Sequence, residues 1–187
     1  MGYTFNLSEP VGDIESIKFP RLTWAHYKKL TLATGISDFV PMFIKFAKPV
    51  LTDEQIGSLS GDDYEHLQEM FVHMTQRDEE YAGRQFKLTT PIVMKGETTE
   101  VVIKALTFEA AKLSELYDYF EETDAQAQAE LFVTKFSKCV GDTQAAKSIT
   151  LTENMMAGLD AKDMIYIRDN IAGKSQGGSA SWSVAAD

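Results

Sequence analysis

The sequence predicts an α+β protein, mostly helical, built as two tandem copies of a β-hairpin followed by three or four helices. Three observations predict it. Residues 51–71 (LTDEQIGSLSGDDYEHLQEMF) align without a gap on residues 151–171 (LTENMMAGLDAKDMIYIRDNI). Leu51, Thr52, Leu59 and Asp63 face Leu151, Thr152, Leu159 and Asp163, and Ile56, Leu67 and Phe71 face Met156, Ile167 and Ile171. Second, Phe5-Asn6-Leu7 with Pro10-Val11 matches Phe86-Lys87-Leu88 with Pro91-Ile92, and Leu22-Thr23-Trp24 matches Leu106-Thr107-Phe108, in the same order. Third, each landmark series begins with period-2 alternation and continues with helical periodicity. The repeat is far longer than a solenoid unit. The predicted boundaries are residues 1–78 for the first unit, 79–84 for a linker, 85–174 for the second unit and 175–187 for a Gly/Ser-rich tail.

The elements follow in order. Tyr3–Leu7 and Glu15–Phe19 alternate apolar and polar residues around the turn Pro10-Val11-Gly12-Asp13, which reads as a hairpin ended by Pro20. Thr23 is placed to cap a helix carrying Trp24, Tyr27 and Leu30. Pro41 suits the first turn of a second helix with Phe43, Ile44 and Ala47, closed by Pro49. Thr52 with Gln55 makes a capping box for a short turn. Ser60 with Asp63 makes another, before a helix whose face is Tyr64, Leu67, Phe71 and Met74.

In the second half Gln85–Thr89 and Thr98–Lys104 form the hairpin around Lys95-Gly96-Glu97. Thr107 is then read as the cap of a helix with the stripe Leu113, Leu116, Tyr117 and Phe120. Ala129, Phe132, Val133, Phe136 and Val140 form the next helical face, stopped by Gly141. The stretch Gln144–Ile149 either extends that helix or loops out. Asp160 and Asp163 take the last cap positions, before Met164, Ile167 and Ile171. Gln76–Arg84 is charged and reads as the linker, and Lys174–Asp187 as a disordered tail.

Composition excludes several function classes. The chain has 187 residues, 44% hydrophobic, with a formal net charge of −10. That charge argues against binding nucleic acid or an anionic membrane. No apolar run reaches the roughly 18–20 residues that span a bilayer. MGYTFNLSEP has neither a basic nor an apolar signal region, so no signal peptide is expected. Cys139 is the single cysteine, which rules out an intrachain disulfide and a cysteine zinc site, and a reducing cytosol is the default.

The chemistry-bearing residues have dull readings. His66, Glu69 and His73 lie at i, i+3 and i+7, but the histidines are two turns, or about 10 Å, apart along a helix. No metal site is expected. Asp62-Asp63 and Asp160 with Asp163 sit where first-turn caps belong, and each of Asp63 and Asp163 is read as a cap worth about 1 kcal/mol. Cys139 falls beside Phe136 and Val140 and reads as buried and inert. No nucleophile elbow, phosphate loop, dinucleotide fingerprint or zinc-helix motif occurs. The expectation is therefore no enzyme, no catalytic residue and no cofactor. Phe39, Met42, Phe46 and Met70 lie off the assigned core stripes, and Trp182 stands alone in the polar tail. These five are the candidate partner-binding residues, with methionines able to adapt to irregular helices. Packing between the halves is the alternative use of the first four.

The opening strand ending in Leu-x-x-Pro-Ile/Val, the return strand, the Leu-Thr entry and the closing Leu-x-x-x-Asp-x-x-x-Ile/Leu helix resemble the phage tail assembly chaperones of contractile-tailed phages. The residues carrying this are Phe86-Lys87-Leu88 to Pro91-Ile92, Val101–Lys104, Leu106-Thr107 and Leu159-Asp163-Ile167. Leu7, Pro10, Leu22-Thr23, Leu59, Asp63 and Leu67 repeat the series. The likeness spans about residues 3–75 and 86–173, and the family usually has one such unit. It implies a non-enzymatic protein of the host cytoplasm that binds the tape measure protein, keeps it soluble while the tail tube assembles, and leaves before maturation. The tail tube protein is a second implied partner, a homo-oligomer stays open, and a longer frameshifted form is common in the family. The alternative is a virion structural protein, a baseplate or tail component, built from the same doubled module.

Overall fold

A computed structural model describes residues 2–77, 85–95, 100–109 and 116–172. The fold is α+β, with a two-stranded sheet and a three-stranded sheet. The chain divides into two compact units, the first being Met1–Gln76 together with Asp160–Lys162 and the second Arg77–Leu159 together with Asp163–Asp187.

The first unit opens with β1 (Tyr3–Val11) and β2 (Ile14–Phe19), paired antiparallel from Tyr3↔Phe19 to Val11↔Ile14. The turn needs positive φ, and Gly12 supplies it at φ 64°. Alternation places Phe5, Leu7, Val11, Ile17 and Phe19 in the core. Helix α1 (Trp24–Leu30) starts at Thr23, whose hydroxyl accepts from the His26 amide, while the His26 ring accepts from the Thr23 amide. Helix α2 (Ile36–Ile44) starts five residues before the predicted Pro41, which lies inside it. The first-turn assignment of Pro41 is thus corrected: Val40 is as buried as Phe43 and Ile44, and the apolar face draws the preceding turn into the helix. Helices α3 (Asp53–Gly57) and α4 (Gly61–Thr75) carry the capping boxes Thr52/Gln55 and Ser60/Asp63. An aromatic cluster ties the helices to the hairpin. Phe43 stacks on Phe19 at 4.5 Å and meets Phe71 edge-on at 5.5 Å.

The second unit begins with β3 (Phe86–Lys95) and β4 (Glu100–Phe108), and the predicted turn at Gly96-Glu97 lies outside the described residues. Here the reading as a plain hairpin is corrected. A third strand, β5 (Ser137–Gly141), lies against β4, giving the order β3-β4-β5. Thr107 is therefore no helix cap; it is a strand residue opposite Lys138. Helix α5 (Tyr117–Glu121) buries Tyr119 and leaves Tyr117 and Phe120 exposed, which overturns the predicted stripe. Leu113 lies outside the described residues. The Tyr119 hydroxyl donates to the Ala172 carbonyl at 2.8 Å, a partner local periodicity does not show. Helix α6 (Ala125–Phe136) is capped by Asp124 and buries Ala129, Phe132, Val133 and Phe136 as expected. It ends at Phe136, so Val140 and Gly141 belong to β5 and not to a helix. Cys139, also in β5, is buried, and burial pushes its thiol pKa up, which keeps it protonated and unreactive at neutral pH. Short helix α7 (Gln144–Lys147) follows, then α8 (Glu153–Ala157) and α9 (Ala161–Tyr166), which continues as a wider π turn over Ile167–Ala172.

The aligned segments bury matching positions. Leu51 and Leu151, Ile56 and Met156, and Leu67 and Ile167 are all core residues, as are Asp63 and Asp163.

Candidate functional site

Three helices and one loop of the first unit converge on one groove. Helix α1 delivers Leu30, the following loop delivers Ala33, Thr34 and Gly35, α2 delivers Phe39, and α4 delivers Gln68, Phe71 and Val72. The groove has a volume of about 430 Å³. Its floor is aromatic: Phe39 meets Phe71 edge-on at 4.7 Å and stacks on Phe43 at 5.9 Å. Close by in sequence, Leu32 is 75% exposed, and on the rim Val72 is 46% exposed. Val72 with Phe39 and Phe71 makes a contiguous apolar lining, the kind of patch that marks an interaction site.

Of the five predicted contact residues, Phe39 lines this groove. Phe46 stands elsewhere, its ring 4.5 Å from that of His26. Met42 and Met70 are half-buried and do not line the groove. Trp182 lies outside the described residues. Sequence reasoning missed Phe71, which the helical stripe assigns to the core. It also missed Val72, which follows Phe71 directly but lies off the assigned stripe.

The acidic residues form structural clasps. Asp63 is buried, and its carboxylate accepts from the Ser8 amide at 2.9 Å and the Ser8 hydroxyl at 3.0 Å. Asp163 is buried as well, accepting from the Thr89 amide and the Thr89 hydroxyl, both at 2.7 Å. Ser8 and Thr89 follow the matched Phe5-Asn6-Leu7 and Phe86-Lys87-Leu88. Each carboxylate thus pins a helix onto the first strand of its unit. Asp63 is also a cap, as expected, and Asp163 stands in the first turn of α9. Asp163 also pairs with Arg77, whose guanidinium donates to the Lys87 carbonyl and lies 4.3 Å from the Phe86 ring centre. Arg77 therefore belongs to a buried ion pair and not to a solvated linker; residues 78–84 of the predicted linker lie outside the described residues.

Burial works to raise the Asp63 pKa. The Ser8 amide, the Ser60 and Ser8 hydroxyls and the Ser60 amide together outweigh it, and the carboxyl titrates below its ordinary value. A depressed folded pKa stabilises the fold above the unfolded value of about 3.9 and ceases to do so as pH falls through the folded value. Chemical unfolding followed from pH 6 downward should show wild type more stable than Asp63→Asn near neutrality. The gap should close below about pH 4. A gap independent of pH would show that the carboxylate charge contributes nothing.

His66, Glu69 and His73 all stand on the exposed side of α4, with the His73 ring 6.0 Å from Tyr3 and edge-on to it. A second depression, of about 300 Å³, is lined by Gln85, Lys87, Lys104, Ala105, Val140, Gly141 and Asp142, with Lys104 ion-paired to Asp142 at 2.7 Å. Among the described residues no helix is long and apolar enough to cross a membrane, and no three His, Cys, Asp or Glu residues gather as a metal set. No family model, curated protein or solved structure matches the chain.

Proposed function

We propose that this chain is a non-enzymatic phage tail assembly chaperone, which holds segments of the tape measure protein and keeps them soluble in the host cytoplasm until the tail tube encloses them. The observation that carries the reading is the apolar groove between α1, α2 and α4, with Phe39 and Phe71 as floor and Val72 on the rim. A holdase needs exposed apolar surface for helices together with enough charge to keep the complex in solution. The net charge of −10 meets the second need. The matched clasps Asp63–Ser8 and Asp163–Thr89 support descent of both halves from one duplicated module. Two such modules on one chain raise the effective concentration of the second contact.

Co-expression tests this directly. A tape measure fragment expressed with this chain should be recovered soluble in several-fold higher yield than with an unrelated acidic protein of the same size. Equal yields remove the holdase role. Abundant copies in purified mature particles, read by mass spectrometry, would instead assign the chain to the tail or baseplate as a structural part.

A further inference from the structure

The groove has one acidic wall. On α4, Glu65 lies three residues before the lining residue Gln68 and seven before Val72, and Glu69 lies three before Val72, so both flank the lining on the same helical side. Both are exposed, and neither makes an ion pair or side-chain hydrogen bond among the described residues. They stand at i, i+4, where two like charges destabilise a helix. Asp62 adds a third acid at i−3 from Glu65, and Asp38 lies on α2 one residue before Phe39. The apolar cleft is thus bordered along α4 by uncompensated acids.

We propose that this groove takes an amphipathic helix of another polypeptide, with its apolar ridge over Phe39 and Phe71 and its lysine- or arginine-bearing edge along Glu65 and Glu69. The inference rests on the chaperone reading only in that the helix belongs to a client. Charge complementarity selects the occupant. A second copy of this chain is the less suitable occupant, because each copy carries a net charge of −10 and the same uncompensated acids. The groove volume falls within the range of about 300–1,000 Å³ that ordinary ligand sites occupy, enough for a short ridge of aliphatic side chains.

The probes are two designed peptides of about 18 residues, long enough to become helical on binding. Both carry leucines at i, i+3, i+4 and i+7. One has lysines flanking that stripe, and the other has glutamates at the same positions. Affinities are measured by fluorescence anisotropy at low salt, where surface charge is least screened. The lysine peptide should bind the full chain at least about 10-fold more tightly than the glutamate peptide, a factor equal to about 1.4 kcal/mol. In the double variant E65K/E69K, whose fold is checked by circular dichroism, the preference should reverse. Equal affinities, or a lysine-peptide affinity unchanged by E65K/E69K, overturns the proposal. So does a self-associated state in wild type that E65K/E69K dissociates, which would give the groove to a second copy. Soluble yield of a tape measure fragment separates the two readings. If E65K/E69K solubilises the fragment as well as wild type, the groove assignment falls and the chaperone reading stands. If wild type solubilises nothing yet binds the lysine peptide with the stated preference, the reverse holds.

Discussion

Asp163→Ala is expected to lower the melting temperature of the second unit by on the order of 15 °C or more. The substitution strands a guanidinium that has almost no route to water. The Arg77 side chain is 8% exposed and that of Asp163 0%. Removing one member of such a buried pair costs about 3–5 kcal/mol, because the remaining charge loses its counter-charge without regaining hydration. The Thr89 amide and hydroxyl lose their acceptor at the same time. At about 4–8 °C per kcal/mol for a domain of roughly this size, the shift follows. Asp63→Ala should cost less, about 1–3 kcal/mol, since it leaves unpaired donors on Ser8 but no buried cation. The double variant Arg77→Met/Asp163→Asn should be less destabilised than Asp163→Ala alone. Its new amide oxygen still accepts from Thr89, and methionine fills the guanidinium's place on Phe86 without a charge. Thermal unfolding of the four proteins decides. Equal costs at positions 63 and 163 would mean that the ion pair contributes nothing beyond the clasp.

The contrast between those two aspartates shows what the chain makes legible. The Ser60/Asp63 box is a local device, written within four residues, and it forms as read. Asp163 occupies the aligned position, yet its partners lie 74 and 86 residues away, at Thr89 and Arg77. Periodicity carries no information about such partners. The same division runs through the fold. The hairpin β1–β2, the caps at Thr23 and Thr52, the burial of Leu67 and Met74 on α4 and the buried face of α6 all rest on patterns within one or two turns, and all are readable. Strand β5 is not. It follows α6 with no turn residue between Phe136 and Ser137, and Val140 falls four residues after Phe136, so the helical stripe runs on into it by coincidence. Only the distant edge of β4 makes those five residues a strand. Once β5 pairs there, β4 extends through Thr107, and the cap suggested by analogy with Thr23 cannot form. The groove is half legible. Phe39 stands out because it lies off the core stripe, whereas Phe71 lies on that stripe and still reaches the surface through the gap between α2 and α4. The charge on the α4 wall is plain in the sequence, but its bearing on the groove depends on which side of the helix faces Phe39.

Gly141→Ala should be as damaging as loss of the buried carboxylate, and for a steric reason. A Cβ at this position would lie 2.0 Å from the Val102 carbonyl oxygen and 2.7 Å from the Ala146 Cβ. Neither neighbour is a flexible side-chain end. The oxygen belongs to the backbone of β4, the strand against which β5 pairs, with Gly141 opposite Ile103. Overpacking of a well-filled site ordinarily costs about 1–3 kcal/mol, and a clash with strand backbone belongs at or above the top of that range. The strands must part, so amide exchange in β5 should accelerate together with the fall in melting temperature. Gly57→Ala is the control, because a Cβ there meets nothing within 4 Å. That change should be neutral or stabilising by up to about 1 kcal/mol through the unfolded chain. Combining Gly141→Ala with Ala146→Gly separates the two obstacles. The second change clears the α7 side but leaves the Val102 oxygen where it is, so little stability should return. Full recovery would place the constraint in the seat of α7 and not in the strand pairing that brings β5 into the sheet.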